Sequence, residues 1–135
     1  LIEPIEKENT EDFIITEEME ECFSPFHLKF NYLSYNQFNT IKAGYNEAFL
    51  DKDKLTFPLI LRLWKSGDRF TPFGMKQQKK ISDFLIDNKL SLFEKEQTWV
   101  LTSLDQIVWV VGYRIDERYK ITAATKRFLH IKLIK

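Results

Sequence analysis

One cysteine, Cys22, stands alone in the chain, so no internal disulfide can form. His27 and His130 have no sequence-near companions at metal-ligand spacing, and both read as ordinary strand residues rather than metal ligands. Long apolar runs are also missing. The tightest, Ile107 to Val111, falls far short of the roughly 20 residues a membrane-spanning helix needs. Leu1 is not an initiator methionine, and Leu1 to Thr10 is too acidic for a signal peptide. These absences point to a soluble cytoplasmic domain with no membrane partner, cut from a longer chain. With 135 residues, 44% hydrophobic and 15% aromatic, the chain can bury a core without covalent staples.

An excess of either charge is lacking overall, for the formal net charge is +0. The zero conceals a division. Residues 1–57 hold 5 Lys/Arg against 12 Asp/Glu, and residues 58–135 hold 15 against 8. Only the second half suits an anionic partner. Residues 1–21 read as a solvated acidic lead-in with one brief strand at Phe13 to Ile15. The organisation expected is a variable segment with the first strand or strands over 1–47, then a binding domain over 48–135.

Alternation predicts strands at Phe26 to Tyr35, Leu59 to Trp64 and Phe128 to Ile134. A hairpin is expected where Ala48 to Leu50 and Leu55 to Phe57 flank the DKDK turn. Val100 to Thr102 and Ile107 to Val111 read as strands about a polar turn, Ser103 to Gln106. One helix is expected from about Gln78 to Lys89, with Ile81, Phe84 and Leu85 at core spacing. Several strands, one confident helix and no βα alternation imply an α+β fold, a small, mostly antiparallel sheet with one main helix packed on it.

Catalytic signatures are missing as well. Neither common spacing of a glycine-rich phosphate loop occurs, and no serine sits in a nucleophile elbow. Cys22 has no nearby lysine or histidine to activate it and reads as structural. Asp83 and Asp87 lie four apart on the predicted helix, but Lys79, Lys80 and Lys89 make solvated charge pairs the better reading. No catalytic residue, metal ligand or cofactor site is assigned to this piece.

What is present is a basic stretch, residues 59–90. Lys79 and Lys80 open the predicted helix after a Gly74 turn and Lys76, where the helix dipole disfavours cations. Such a start is either a solvated basic end or a receptor for phosphate oxygens. In the preceding loop, Asp68 can accept its own loop's amides, leaving Arg69 either held by Asp68 or presented outward. Arg62, Lys65, Arg69, Lys76, Lys79 and Lys80 could form one basic surface, with Lys89 further along the helix. Trp64 and Phe73, interleaved with them, read as core aromatics before base-stacking ones. A second cluster gathers Arg114, Arg118, Lys120, Lys126 and Arg127 around Asp116 and Glu117, followed by the small polar turn Thr122 to Thr125.

These stretches closely resemble the C-terminal domain of the tRNA(Ile)-lysidine synthetase family. The resemblance rests on Arg62-Leu63-Trp64, Gly67-Asp68-Arg69-Phe70, Pro72-Phe73-Gly74-Met75, Lys79 to Phe84, Lys89, Trp109 to Gly112, Arg114-Ile115, and Thr122 with Thr125. It covers residues 58–131, and residues 1–47 match nothing in it. Gln77 departs from the glycine that the family often carries there. The resemblance implies a ligase that adenylates the wobble cytidine of a minor isoleucine tRNA with ATP and joins lysine to it. ATP and magnesium would act in an N-terminal ATP-pyrophosphatase domain, whose serine-glycine-glycine loop this sequence lacks. This piece would hold the acceptor stem of the tRNA through Arg62, Lys65, Arg69, Lys76, Lys79, Lys80, Lys89, Arg114, Lys126 and Arg127. The competing reading is an interaction module that packs on its own catalytic domain or on a second subunit. A homodimer stays open as a partner.

Overall fold

The computed structural model describes residues 12–34, 44 and 46–135. Most of the acidic lead-in and Tyr35, the last residue of an expected strand, lie outside them. Among the described residues, eleven strands occur in chain order: β1 Phe13–Ile15, β2 Glu21–Cys22, β3 Leu28–Ser34, β4 Glu47–Asp51, β5 Leu59–Leu63, β6 Arg69–Phe70, β7 Lys79–Lys80, β8 Trp99–Ser103, β9 Gln106–Val110, β10 Arg114–Ile115 and β11 Arg127–Leu133. Helices α1, Ile81–Asp87, and α2, Leu92–Glu96, lie between β7 and β8. Every strand pairing is antiparallel.

The fold is α+β and antiparallel as expected, but the strands divide among sheets. One sheet has the order β1-β5-β8-β9-β10, a second β2-β3-β11-β4, and β6-β7 form a two-stranded ribbon. The two larger sheets face each other across the main core. Leu59, Leu61, Leu101 and Trp109 come from one side, and Leu28, Phe30, Leu50, Leu129 and Ile131 from the other. The far side of the five-stranded sheet carries a second core, where Phe70, Ile81, Phe84 and Leu85 cover Val100, Ile107 and Val110. A sheet buried on both faces needs apolar residues in succession, which is why residues 107–111 read as a run rather than an alternation. A bulge adds to this: Leu101 pairs with Trp109 and Thr102 with Ile107, leaving Val108 unpaired. Val108 and Trp109 therefore both enter the main core.

Three expectations change. The DKDK segment is not a hairpin turn: β4 runs into a 3-10 turn, Lys52–Lys54, and Leu55 to Phe57 form no strand. Asp51 caps that turn by accepting from Asp53 N, which directs the chain away from a return strand. A second helix, α2, was not anticipated; Ser91 and Glu94 close a capping box at its start. Most consequentially, α1 is shorter than the span from Gln78 to Lys89. Lys79 and Lys80 lie in an extended strand before it, and Asn88 and left-handed Lys89 (φ 60°) end it. The lysines thus precede the helix instead of filling its first turn.

Candidate nucleic-acid interface

The basic stretch folds into a ribbon fixed at both ends. At its entry, Arg62 on β5 reaches Asp68 with two guanidinium nitrogens, at 2.9 and 3.0 Å. Asp68 also accepts from Lys65 N at 2.8 Å, and Asp68 N donates to Lys65 O. This closes the tight turn that the positive φ of Gly67, 95°, completes. Asp68 therefore holds Arg62, not Arg69. Strands β6 and β7 then pair Arg69 with Lys80 and Phe70 with Lys79 across residues 71–78.

Phe70 points into the second core and meets Phe84 edge-on, the centroids 5.1 Å apart. Its neighbour Arg69 points the other way, into solvent, as does Lys80 opposite. Residues directly opposed on an antiparallel pair sit with β-carbons roughly 5 Å apart, and like charges there repel. Neither side chain has a partner among the described residues. The ribbon thus holds two neighbouring cations out of ion-pairing distance of any carboxylate among the described residues.

Asp116 secures the far end of the ribbon. It is fully buried, and its carboxylate accepts from Thr71 N, Arg118 N and the Arg118 guanidinium, all at 2.8–3.0 Å. Hydrogen bonding to Asp116 raises the Arg118 pKa. Phe73 N donates to Ile115 O, and Gly74 N donates to Glu117 at 2.9 Å. The Lys120 ammonium and that Gly74 amide hold the Glu117 carboxyl below its ordinary pKa. The place of Asp116 and Glu117 within a basic cluster gives no sign of this backbone role. The one available signal was the Asp-x-Arg order of a capped turn, since Asp116 caps the 3-10 turn Glu117–Tyr119.

The predicted binding residues part company here. Arg69, Lys76 and Lys80 share the ribbon and its loop, exposed and without side-chain partners among the described residues; Lys65 is likewise exposed in the entry turn. Arg114, on β10, sets its guanidinium 5.6 Å from the centre of the Phe84 ring that also packs on Phe70. Arg62 is occupied by Asp68, and Lys79 is ion-paired with Asp87 at the other end of α1. Lys89 lies past the end of α1. Lys126 and Arg127 are elsewhere, at the start of β11 in the four-stranded sheet, where Arg127 pairs with Asp53. Thr125 is buried and donates to Asp51 at 2.9 Å, so it cannot meet a ligand.

Residues 59–132 match the family model described as the TilS substrate C-terminal domain. The chain belongs to this family. A tRNA(Ile)-lysidine synthase of Parabacteroides distasonis is 45% identical over 133 residues, 98% of this chain and 30% of that protein. One from Bacteroides thetaiotaomicron is 45% identical over 87 residues, 64% of this chain and 20% of that protein. The chain therefore spans less than a third of either relative. A crystal structure of a TILS C-terminal domain shares the fold, with a TM-score of 0.74 at 17% identity, covering 90% of this chain and 95% of that one. The TilS-type match spans the ribbon, the Asp116 network and α1 together, so the arrangement described here lies inside the family's own boundaries.

Among the described residues, no helix is long and apolar enough to cross a membrane. No three His, Cys, Asp or Glu side chains among them are grouped to hold a metal ion.

Proposed function

We propose that this chain is the tRNA-gripping part of a tRNA(Ile)-lysidine synthase and that it holds the acceptor stem, with β6–β7 as the contact. The opposed pair Arg69 and Lys80, unneutralised and joined by Lys76, carries this reading. A-form RNA hides its base edges in a deep groove, so a domain that grips a stem works through cations aimed at phosphates and 2′-hydroxyls. Two cations at adjacent strand positions offer such a contact, and the rigid ends of the ribbon preorganise it. Lys65 and Arg114 extend the surface; Arg62 and Lys79 support it through their ion pairs. In the intact enzyme, ATP and magnesium belong to the catalytic portion, and both portions work in the cytoplasm.

An acceptor-stem minihelix of an isoleucine tRNA, titrated against this chain over a range of salt, tests the proposal. About four to six phosphate contacts give a log–log slope on the order of −3 to −5. The double variant R69A/K80A should lose more than about tenfold in affinity, roughly 1.4 kcal/mol, and flatten the slope by about 1 to 2. Unchanged affinity in that variant, or no binding by the parent at low salt, overturns it.

A second reading draws on a different face. Leu92 and Phe93 on α2 are 72% and 71% exposed. Phe93 lines an open cleft of about 770 Å³ with Phe26, Trp99, Tyr113 and Leu133. Apolar residues so placed suit contact with the catalytic portion of the same enzyme.

A further inference from the structure

The tip of the β6–β7 loop is held rigidly yet shows apolar side chains to solvent. Phe73 is 50% exposed and Met75 40%. Their backbone is anything but loose. Thr71 N donates to Asp116, Phe73 N to Ile115 O, Gly74 N to Glu117 and Met75 N to Pro72 O, while Glu117 N donates back to Thr71 O at 2.7 Å. None of these bonds involves the Phe73 or Met75 side chain, so the loop keeps its shape without them. An aromatic ring left in water on a fixed loop is a local cost with no return inside the fold.

Its surroundings specify the partner. Lys76 follows Met75, and Arg69 and Lys80, without side-chain partners among the described residues, stand at the base of the same loop. An apolar protein face laid on Phe73 would strip water from these cations without compensating them. A nucleic acid brings both what the ring lacks and what the cations lack: a flat apolar base beside phosphates. Paired bases inside a stem keep their faces stacked on each other, so the ring suits the open end of a stem, where an unpaired base that extends it offers a full face.

Building on the RNA-binding reading above, we infer that Phe73 is a stacking platform for an unpaired base next to the bound stem, flanked by Met75, while Arg69, Lys76 and Lys80 hold the adjoining phosphates. The exposed thioether suits the role, since methionine packs adaptably against aromatic edges.

Two RNA hairpins of the same stem, one blunt and one with a short unpaired 3′ extension, separate this inference from its foundation. The parent should prefer the extended hairpin roughly five- to a hundredfold. F73A should abolish that preference while leaving the affinity for the blunt hairpin, the salt slope and the melting temperature unchanged; F73W should retain it. Equal binding of both hairpins by parent and F73A overturns the stacking role and leaves RNA binding intact. An equal loss on both hairpins in F73A also overturns it, making Phe73 a support for the ribbon. So does a variant that binds RNA normally but associates less well with a separately supplied catalytic portion. Failure of the parent to bind either hairpin removes both readings.

Discussion

At the scale of single residues, the chain spends its charges in two ways. Asp116 is buried with every carboxylate oxygen engaged, and Asp68 is spanned by the fork of Arg62. Such groups fix backbone, and truncating one leaves buried amides unsatisfied. Asp116→Ala should cost on the order of 2–4 kcal/mol, read by denaturant unfolding. Most of that loss belongs to the amides of Thr71 and Arg118, because the Arg118 side chain is 42% exposed and water can replace its partner. A loss below about 0.5 kcal/mol would show that the 71–75 loop does not depend on this carboxylate. By contrast, Arg69 and Lys80 have no side-chain partner among the described residues, and that contrast separates the proposed binding residues from the structural ones.

At the scale of elements, the ribbon makes opposite predictions for adjacent lysines. Lys80 faces Arg69, so K80E turns a repulsive cross-strand pair into an attractive one. Stability should rise by a few tenths of a kcal/mol while affinity for RNA falls. Lys79 is paired with Asp87, so K79E sets two acids together and should lower the melting temperature. Measuring both variants by thermal unfolding checks the strand assignment, because lysines at a helix start would instead both gain from an acid. Glu117 gives the loop a pH dependence. Its pKa is lowered in the folded chain, chiefly by Lys120 and then by the Gly74 amide. Its contribution is therefore complete above the ordinary carboxylate value and is lost as the pH falls below it, through the depressed folded value. E117Q should flatten that part of the curve of melting temperature against pH; a superimposable curve would remove Glu117 from the loop's support.

At the scale of the whole molecule, strands from both sides of residue 47 share both larger sheets. β3 pairs with β11 over seven positions, from Leu28↔Leu133 to Ser34↔Arg127, and β1 pairs with β5. Ile15, Leu28 and Phe30 are part of the main core. A chain begun at residue 48 would expose the edge of β11 and one wall of that core. It should lose cooperative thermal unfolding by circular dichroism, although the family match itself begins only at residue 59. A sharp transition in the shortened chain would show that β1 to β3 are dispensable.

The sequence alone determined the class of fold and most of its core. Alternation and run length reflect which faces are buried, so the apolar positions of β5, α1, β9 and β11, including Leu61, Phe84 and Trp109 among the core residues, were readable from local order. Charge division and motif order also pointed to the basic half and to the family. What tertiary structure alone decided was the fate of each cation. Whether an arginine is free or held depends on partners brought in from elsewhere: Lys79 meets Asp87 across α1, Arg127 meets Asp53 from 74 positions away, and Phe73 remains exposed because the 115–117 segment holds its backbone. Short elements were lost to the same cause. A two-residue strand carries no periodicity, so only its pairing with Arg69 and Phe70 could turn Lys79 and Lys80 from the start of a helix into a strand.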